Sequence, residues 1–134
     1  MHPDFLRADG WSPRVIGAAI EVHRDKGPGL LEEIYKKCLK HEFTLQNIPA
    51  VRELVVPIVY KDLTFDEPLR LDFYVDRCLI VEAKAVEKLL PIHVAQLLSY
   101  MRLLSAPVGL LINFHEIVLK NGIRRLTLKG ADQP

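Results

Sequence analysis

Leu69-Arg70-Leu71-Asp72-Phe73-Tyr74-Val75-Asp76-Arg77-Cys78-Leu79-Ile80-Val81-Glu82-Ala83-Lys84 contains two runs of branched and aromatic residues separated by a turn. In the first run Leu69, Leu71, Phe73 and Val75 alternate with Arg70, Asp72 and Tyr74, the period of a half-buried strand. In the second, Glu82 and Lys84 share a face because residues two apart on a strand project together. A two-residue loop, Asp76-Arg77, would set Asp72 against Val81 and mismatch every apolar position. A three-residue loop that adds Cys78 pairs Val75 with Leu79, Phe73 with Val81 and Leu71 with Ala83. Hydrophobic matching selects this second register. It also sets Asp72 opposite Glu82, with side chains about 5 Å apart.

Two carboxylates held face to face repel, and each raises the other's affinity for protons. A cation between them removes the cost. Mg²⁺ or Mn²⁺ suits the pair better than Zn²⁺, because the ligands are hard oxygens with no His or Cys cluster beside them. Lys84 stands one position further along the same face, where an ammonium can orient an attacking water or stabilise charge on a phosphate oxygen. A lone Glu-x-Lys on a strand is usually a solvated pair. Here apolar residues flank it from Leu79 to Val86, which indicates a central strand and makes exposed charge a poor explanation.

Outward from this stretch the period becomes helical on both sides. Ser12-Pro13 is a good helix start, Val15, Ile16, Ala19, Ile20 and His23 recur at helical spacing, and Gly27-Pro28-Gly29 ends the segment. A second helix is expected from about Leu30 to Gln46, with Leu31, Ile34, Tyr35, Cys38, Leu39 and Glu42 along one side. Val51 to Tyr60 reads as a strand, with Pro57 marking an edge or a bulge. On the C-terminal side, Ile92 to Leu104 is a helix opened by Pro91. Val108 to Phe114 is an interior strand, and Asn121-Gly122 is a hairpin turn joining Ile117–Lys120 to Ile123–Leu128. The order is α-α-β-β-β-α-β plus a C-terminal hairpin. It describes one α/β (α+β) domain spanning residues 1–134, with a folded core from about 12 to 128.

Composition bounds the function. No apolar run approaches the roughly 18 residues of a membrane span, and the N-terminus lacks a secretory pattern, so a cytoplasmic protein without a membrane partner is expected. Cys38 and Cys78 read as two reduced core cysteines. The net charge of +1 carries no global sign of nucleic-acid binding. Its distribution is uneven: His41 to Leu90 holds nine acidic residues against six basic, whereas Pro91 onward holds five basic against two acidic. An acidic centre beside a basic C-terminal hairpin fits a metal site next to a phosphate-binding surface.

Gly29-Leu30-Leu31-Glu32-Glu33-Ile34-Tyr35 fits a G-x-x-E-x-x-Y pattern. With Leu71-Asp72, Val81 to Val86, Pro91-Ile92-His93, Ala95 to Tyr100 and Gly109 to Phe114, it resembles the GxxExxY protein family of the PD-(D/E)XK nuclease superfamily, over about Ile16 to Leu128. The resemblance implies a restriction-endonuclease-like core, a mixed central sheet flanked by helices, with Asp72, Glu82 and Lys84 on its active face. It implies a metal held by Asp72, Glu82 and the carbonyl of Ala83, with Glu32 close by or acting through water. Gln96 and Tyr100 resemble the Q-x-x-x-Y element of RecB-like nucleases, the glutamine near the reaction and the tyrosine near the nucleic acid. Tyr35, which shares a helix side with Glu32, and His93, one turn before Gln96, are further candidates for substrate contact. Arg70 stands where the superfamily's name would place a proline. The expected function is Mg²⁺-dependent (or Mn²⁺-dependent) hydrolysis of nucleic-acid phosphodiester bonds, with DNA favoured, by a monomer, a homodimer or a complex with a protein partner. The rival is a catalytically inactive nuclease-fold module for nucleic-acid binding or complex assembly.

Overall fold

In the computed structural model, which describes residues 1–134, the chain opens with two helices packed on one face of a sheet. α1 spans Phe5–Lys26 and so begins well before the Ser12-Pro13 start that its sequence suggests. The reason is tertiary. Ala8, Ser12, Val15, Ala19 and Val22 form one buried stripe at helical spacing that runs straight past Pro13. The indole N–H of Trp11 donates to Asp76 Oδ2 at 2.9 Å, and Arg7 donates to the Asp76 carbonyl at 3.1 Å. These contacts outweigh the one helical hydrogen bond that an interior proline removes.

Gly27 and Gly29 take positive φ angles of 66° and 103° and turn the chain into α2, Glu32–Leu45. Tyr35, Leu39 and Phe43 are its buried side, whereas Leu31 and Ile34 face outward. The buried stripe is thus rotated relative to the one expected, because Phe43 packs edge-on against Phe73 of the sheet.

Five strands make the sheet, in the order β1-β4-β5-β6-β7. β1 (Ala50–Val56) is an edge strand, and beyond Pro57 the chain forms a small ribbon of β2 (Val59–Tyr60) and β3 (Leu63–Thr64). The expected strand to Tyr60 is therefore split at the proline. β4 (Leu69–Val75) pairs antiparallel with β1 and with β5 (Leu79–Lys84). α3 (Pro91–Leu104) crosses the opposite face and returns the chain as β6 (Val108–Asn113), parallel to β5. β5 from Leu79 to Ala83 and all of β6 are buried, as the apolar runs require. The mixed sheet between α1–α2 and α3 is a restriction-endonuclease-like architecture.

The C-terminal hairpin is present, but its partners differ from those expected. β7 (Ile123–Thr127) pairs with β6, and Ile117–Lys120 is not a strand. Leu119–Gly122 is instead a turn of 3₁₀ helix that returns the chain beside Asn113. β6 is apolar from Val108 to Ile112 and offers a full ladder, whereas Ile117 and Val118 are exposed. Gly122 makes the close return possible, since a Cβ there would lie 2.7 Å from the Asn113 carbonyl oxygen.

Gly122→Ala is expected to lower stability by about 1–3 kcal/mol, read from denaturant midpoints, because a backbone atom cannot yield. Gly109→Ala should cost less, since the nearest obstruction there is the flexible Met101 side chain.

Candidate active site

The register of the central hairpin is the one that hydrophobic matching selects: Val75 pairs with Leu79, Tyr74 with Ile80 and Phe73 with Val81. Asp76 and Arg77, both at positive φ, make the turn with Cys78. The ladder stops at Phe73–Val81, so the expected pairing of Leu71 with Ala83 does not form. Phe73 and Val75 pack on the α1–α2 side, whereas Leu69 and Leu71 pack on the α3 side with Ile80, Leu97 and Leu111. β1 changes sides at the same level: Ala50 packs with the first cluster, Leu54 and Val56 with the second. Between them lies Glu53, held at φ 57° across from Asp72. A non-glycine residue there costs on the order of 1–3 kcal/mol. β1 and β4 therefore swing away from β5 together, and the polar residues sit where they part.

At that point the acids take over the hydrogen bonding. The Asp72 N–H donates to Glu82 Oε2 at 3.0 Å, and the Ala83 N–H donates to Asp72 Oδ2 at 2.8 Å. Glu82 is 6% exposed, the only carboxylate in the core. Burial, then the adjacent charge and hydrogen bond of Asp72, push its carboxyl up to about 9, with Lys84 pulling partly the other way. The fold thus favours the protonated form of Glu82, and a cation placed beside it would offset the same cost.

Helix α2 delivers the third acid and a cation. Glu32 Oε1 accepts the Ala85 N–H at 3.2 Å, which fixes the helix start to the end of β5. Lys36, one helical turn on, places its ammonium 2.9 Å from Glu32 Oε2 and 2.9 Å from Asp72 Oδ1. Burial opposes its charge, but hydrogen bonds to Asp72 and Glu32 hold its pKa above the ordinary lysine value. Lys36 was not among the residues singled out from the sequence. The only signal was its Glu-x-x-x-Lys spacing from Glu32, which most surface helices also carry. Asn113 was missed in the same way. Fully buried at the end of β6, it donates to the Val86 carbonyl at 2.8 Å and accepts the Val86 N–H at 3.1 Å, clamping the segment after Lys84.

The remaining candidates divide. Lys84 is half-buried at the end of β5, forms no ion pair, and its charge reaches Glu82. Tyr100, on α3, is half-buried, and its hydroxyl is pushed up by burial and then by the charges of Glu82 and Asp72. Gln96 lies exposed one turn earlier. His93 caps its own helix: Nδ1 accepts the Leu90 N–H at 2.9 Å, leaving Nε2 as its free nitrogen. Tyr35 requires a correction. It is fully buried and stacked on Phe114 at 4.7 Å, its hydroxyl donating to the Gly27 carbonyl at 2.6 Å and accepting the Leu30 N–H at 3.0 Å. It locks the turn before α2 and cannot touch a substrate.

The oxygen donors of Asp72 and Glu82, adjacent and charge-repelling, fit a hard divalent cation. No group of three or more His, Cys, Asp or Glu side chains gathers closely enough to hold one. Glu32 meets Asp72 only through the Lys36 ammonium. A groove of about 800 Å³ lies elsewhere, along the β1 edge near Val51, Leu54, Tyr74 and Arg77.

Glu82 binds a proton in the folded state that it releases on unfolding, so metal-free stability falls as pH rises from about 4.5 to about 9. Glu82→Gln, which keeps an acceptor for Asp72 N–H, should flatten that slope and raise the thermal midpoint at pH 8 by a few degrees, measured by calorimetry in chelator. Tyr35→Phe should cost about 1–2 kcal/mol from the loss of both hydroxyl bonds.

Comparison with curated proteins returns no match, and none is found among solved structures. No helix is long and apolar enough to cross a membrane. A family model described as the PD-(D/E)XK nuclease superfamily matches residues 9–126, from within α1 to β7, and so takes in the acid pair, Lys84 and both faces of the sheet. The chain belongs to the PD-(D/E)XK nuclease superfamily.

Proposed function

We propose that this protein is a divalent-metal-dependent nuclease that hydrolyses phosphodiester bonds of nucleic acid, DNA in preference to RNA. The observation that carries the reading is the convergence of Asp72 and Glu82 where β4 parts from β5, with Lys84 beside them. A buried carboxylate against a second one is a costly arrangement for a fold to keep, and function is the ordinary reason to keep it.

Asp72, Glu82 and the Ala83 carbonyl would hold Mg²⁺ or Mn²⁺, with Glu32 contributing directly or through water. The ion, when bound, supplies charge to the phosphoryl group and acidity to the attacking water. The chain's own residues do the rest. Lys84 orients the nucleophile and stabilises charge on a phosphate oxygen. Gln96 and Tyr100 approach from α3 to position water and substrate, and His93 has Nε2 available for a phosphate. Within the superfamily we assign the chain to the GxxExxY group. The structure gives its pattern a physical sense: Gly29 turns the chain, Tyr35 locks the turn, and Glu32 reaches the end of β5. A cytoplasmic location suits its two free cysteines. The outward Leu31, just before α2, and Ile34 on it offer a surface for a second copy or a protein partner.

A second reading, a catalytically inactive module that binds nucleic acid or assembles a complex, is favoured by one observation. Lys36 already neutralises part of the acid cluster, so the fold does not need a metal to stand.

Lys84→Ala is expected to lower Mg²⁺-dependent cleavage of duplex or single-stranded DNA by at least about 100-fold, in gel assays, with unchanged circular dichroism and melting. Cleavage at the native rate by that variant would sink the catalytic reading.

A further inference from the structure

Lys36 and its two acids are connected more tightly than a surface ion pair. Its side chain and that of Asp72 are each only 16% exposed. Every oxygen of Asp72 and Glu32 has a partner. One oxygen of each acid takes a backbone N–H near the end of β5: Asp72 Oδ2 from Ala83 at 2.8 Å, Glu32 Oε1 from Ala85 at 3.2 Å. The other oxygen of each, Asp72 Oδ1 and Glu32 Oε2, is held by the Lys36 ammonium at 2.9 Å. The backbone N–H groups are fixed by the strand and its exit. The oxygens that can change partner are therefore the two that Lys36 holds.

We propose that Lys36 is a tethered counter-cation that competes with a divalent ion for Asp72 and Glu32, so that the ammonium must leave both acids before they can ligate metal. The inference rests on the metal-dependent reading above. Lys36 neutralises the acids while the site is metal-free and keeps Glu32 and Asp72 drawn toward one another from different elements. A dication taking the same oxygens would lie within a few ångströms of the ammonium, and like charges at that range repel strongly in a half-buried site. Lys36 thereby raises the metal concentration at which the site assembles. Its stem, anchored one turn from Glu32 on a helix, keeps the released ammonium close to the reaction. It is a positioning residue for the metal site, distinct from Lys84, which has no acid partner to give up.

The test is a calorimetric titration of the full chain with Mn²⁺ alone, at fixed pH and without nucleic acid, in the native protein, Lys36→Gln and Lys36→Arg. Lys36→Gln should bind Mn²⁺ at least roughly tenfold more tightly, gain more in melting temperature from saturating Mn²⁺, and melt lower than the native protein in chelator. Lys36→Arg keeps the charge and should stay within a few-fold of the native Kd. Equal or weaker Mn²⁺ binding by Lys36→Gln overturns the inference while leaving the metal-dependent reading in place. If Lys36→Gln is unfolded in chelator, recovery of its circular dichroism on adding Mn²⁺ supports the proposal and failure to recover overturns it. Absence of Mn²⁺ binding at millimolar concentration in both native protein and Lys36→Gln overturns the metal-dependent reading and this inference with it.

Discussion

Where β4 leaves β5, strand pairing gives way to side chains. Beyond Phe73 and Val81, the N–H groups of Asp72 and Ala83 bond to Glu82 and Asp72 respectively. Two carboxylates thus do the work of a ladder, at the junction of buried and exposed sheet. Neither acid can be moved without unpairing a backbone donor, so their mutual position is set by the fold itself. Burial first, and then the nearness of Asp72, raise the proton affinity of Glu82, so a proton or another cation offsets the charge that this junction gathers.

The rest of the structure supports that parting. β1 and β4 change sides together across Glu53 and Asp72, and the positive φ of Glu53 is the local strain that accompanies the change. Past it, Leu54, Val56 and Leu71 find a core under α3, which makes the divergence stable. On the other side, α2 is fixed by three devices. Tyr35 holds the turn that precedes the helix, His115 donates to the Leu30 carbonyl at 3.0 Å, and Glu32 takes the Ala85 N–H. Asn113 then pins Val86, so the exit of β5 is tied to both α2 and β6. Lys84 stands in this rigid segment, where its place relative to Glu82 is fixed.

One consequence is that residues of similar sequence appearance have different tasks. Tyr35 and Tyr100 both follow a polar residue on a helix at three or four positions' distance. Tyr35 is sealed against Phe114, whereas Tyr100 is half-buried and feels the charge of the acids. Lys36 and Lys84 both reach the acid cluster. Lys36 is bound to two carboxylates, whereas Lys84 is free of ion pairs.

Local sequence determined the elements that depend on local periodicity: α2, α3, β4, β5, β6 and the three-residue turn at Asp76-Arg77-Cys78. Because a one-residue slip reverses every side chain of a strand, alternation also determined the hairpin register, and with it the meeting of Asp72 and Glu82. Tertiary structure decided what periodicity cannot encode. Contacts of Arg7 and Trp11 with Asp76 carried α1 past Pro13. β7 took β6 as its partner because only β6 offered it a buried ladder. The reversal at Asp72, the enclosure of Tyr35 and the bridging of Glu32 to Asp72 by Lys36 each join residues far apart in the chain. Such contacts leave no trace in spacing, because a side chain's partner is set by which elements pack together and not by which residues are its neighbours in sequence.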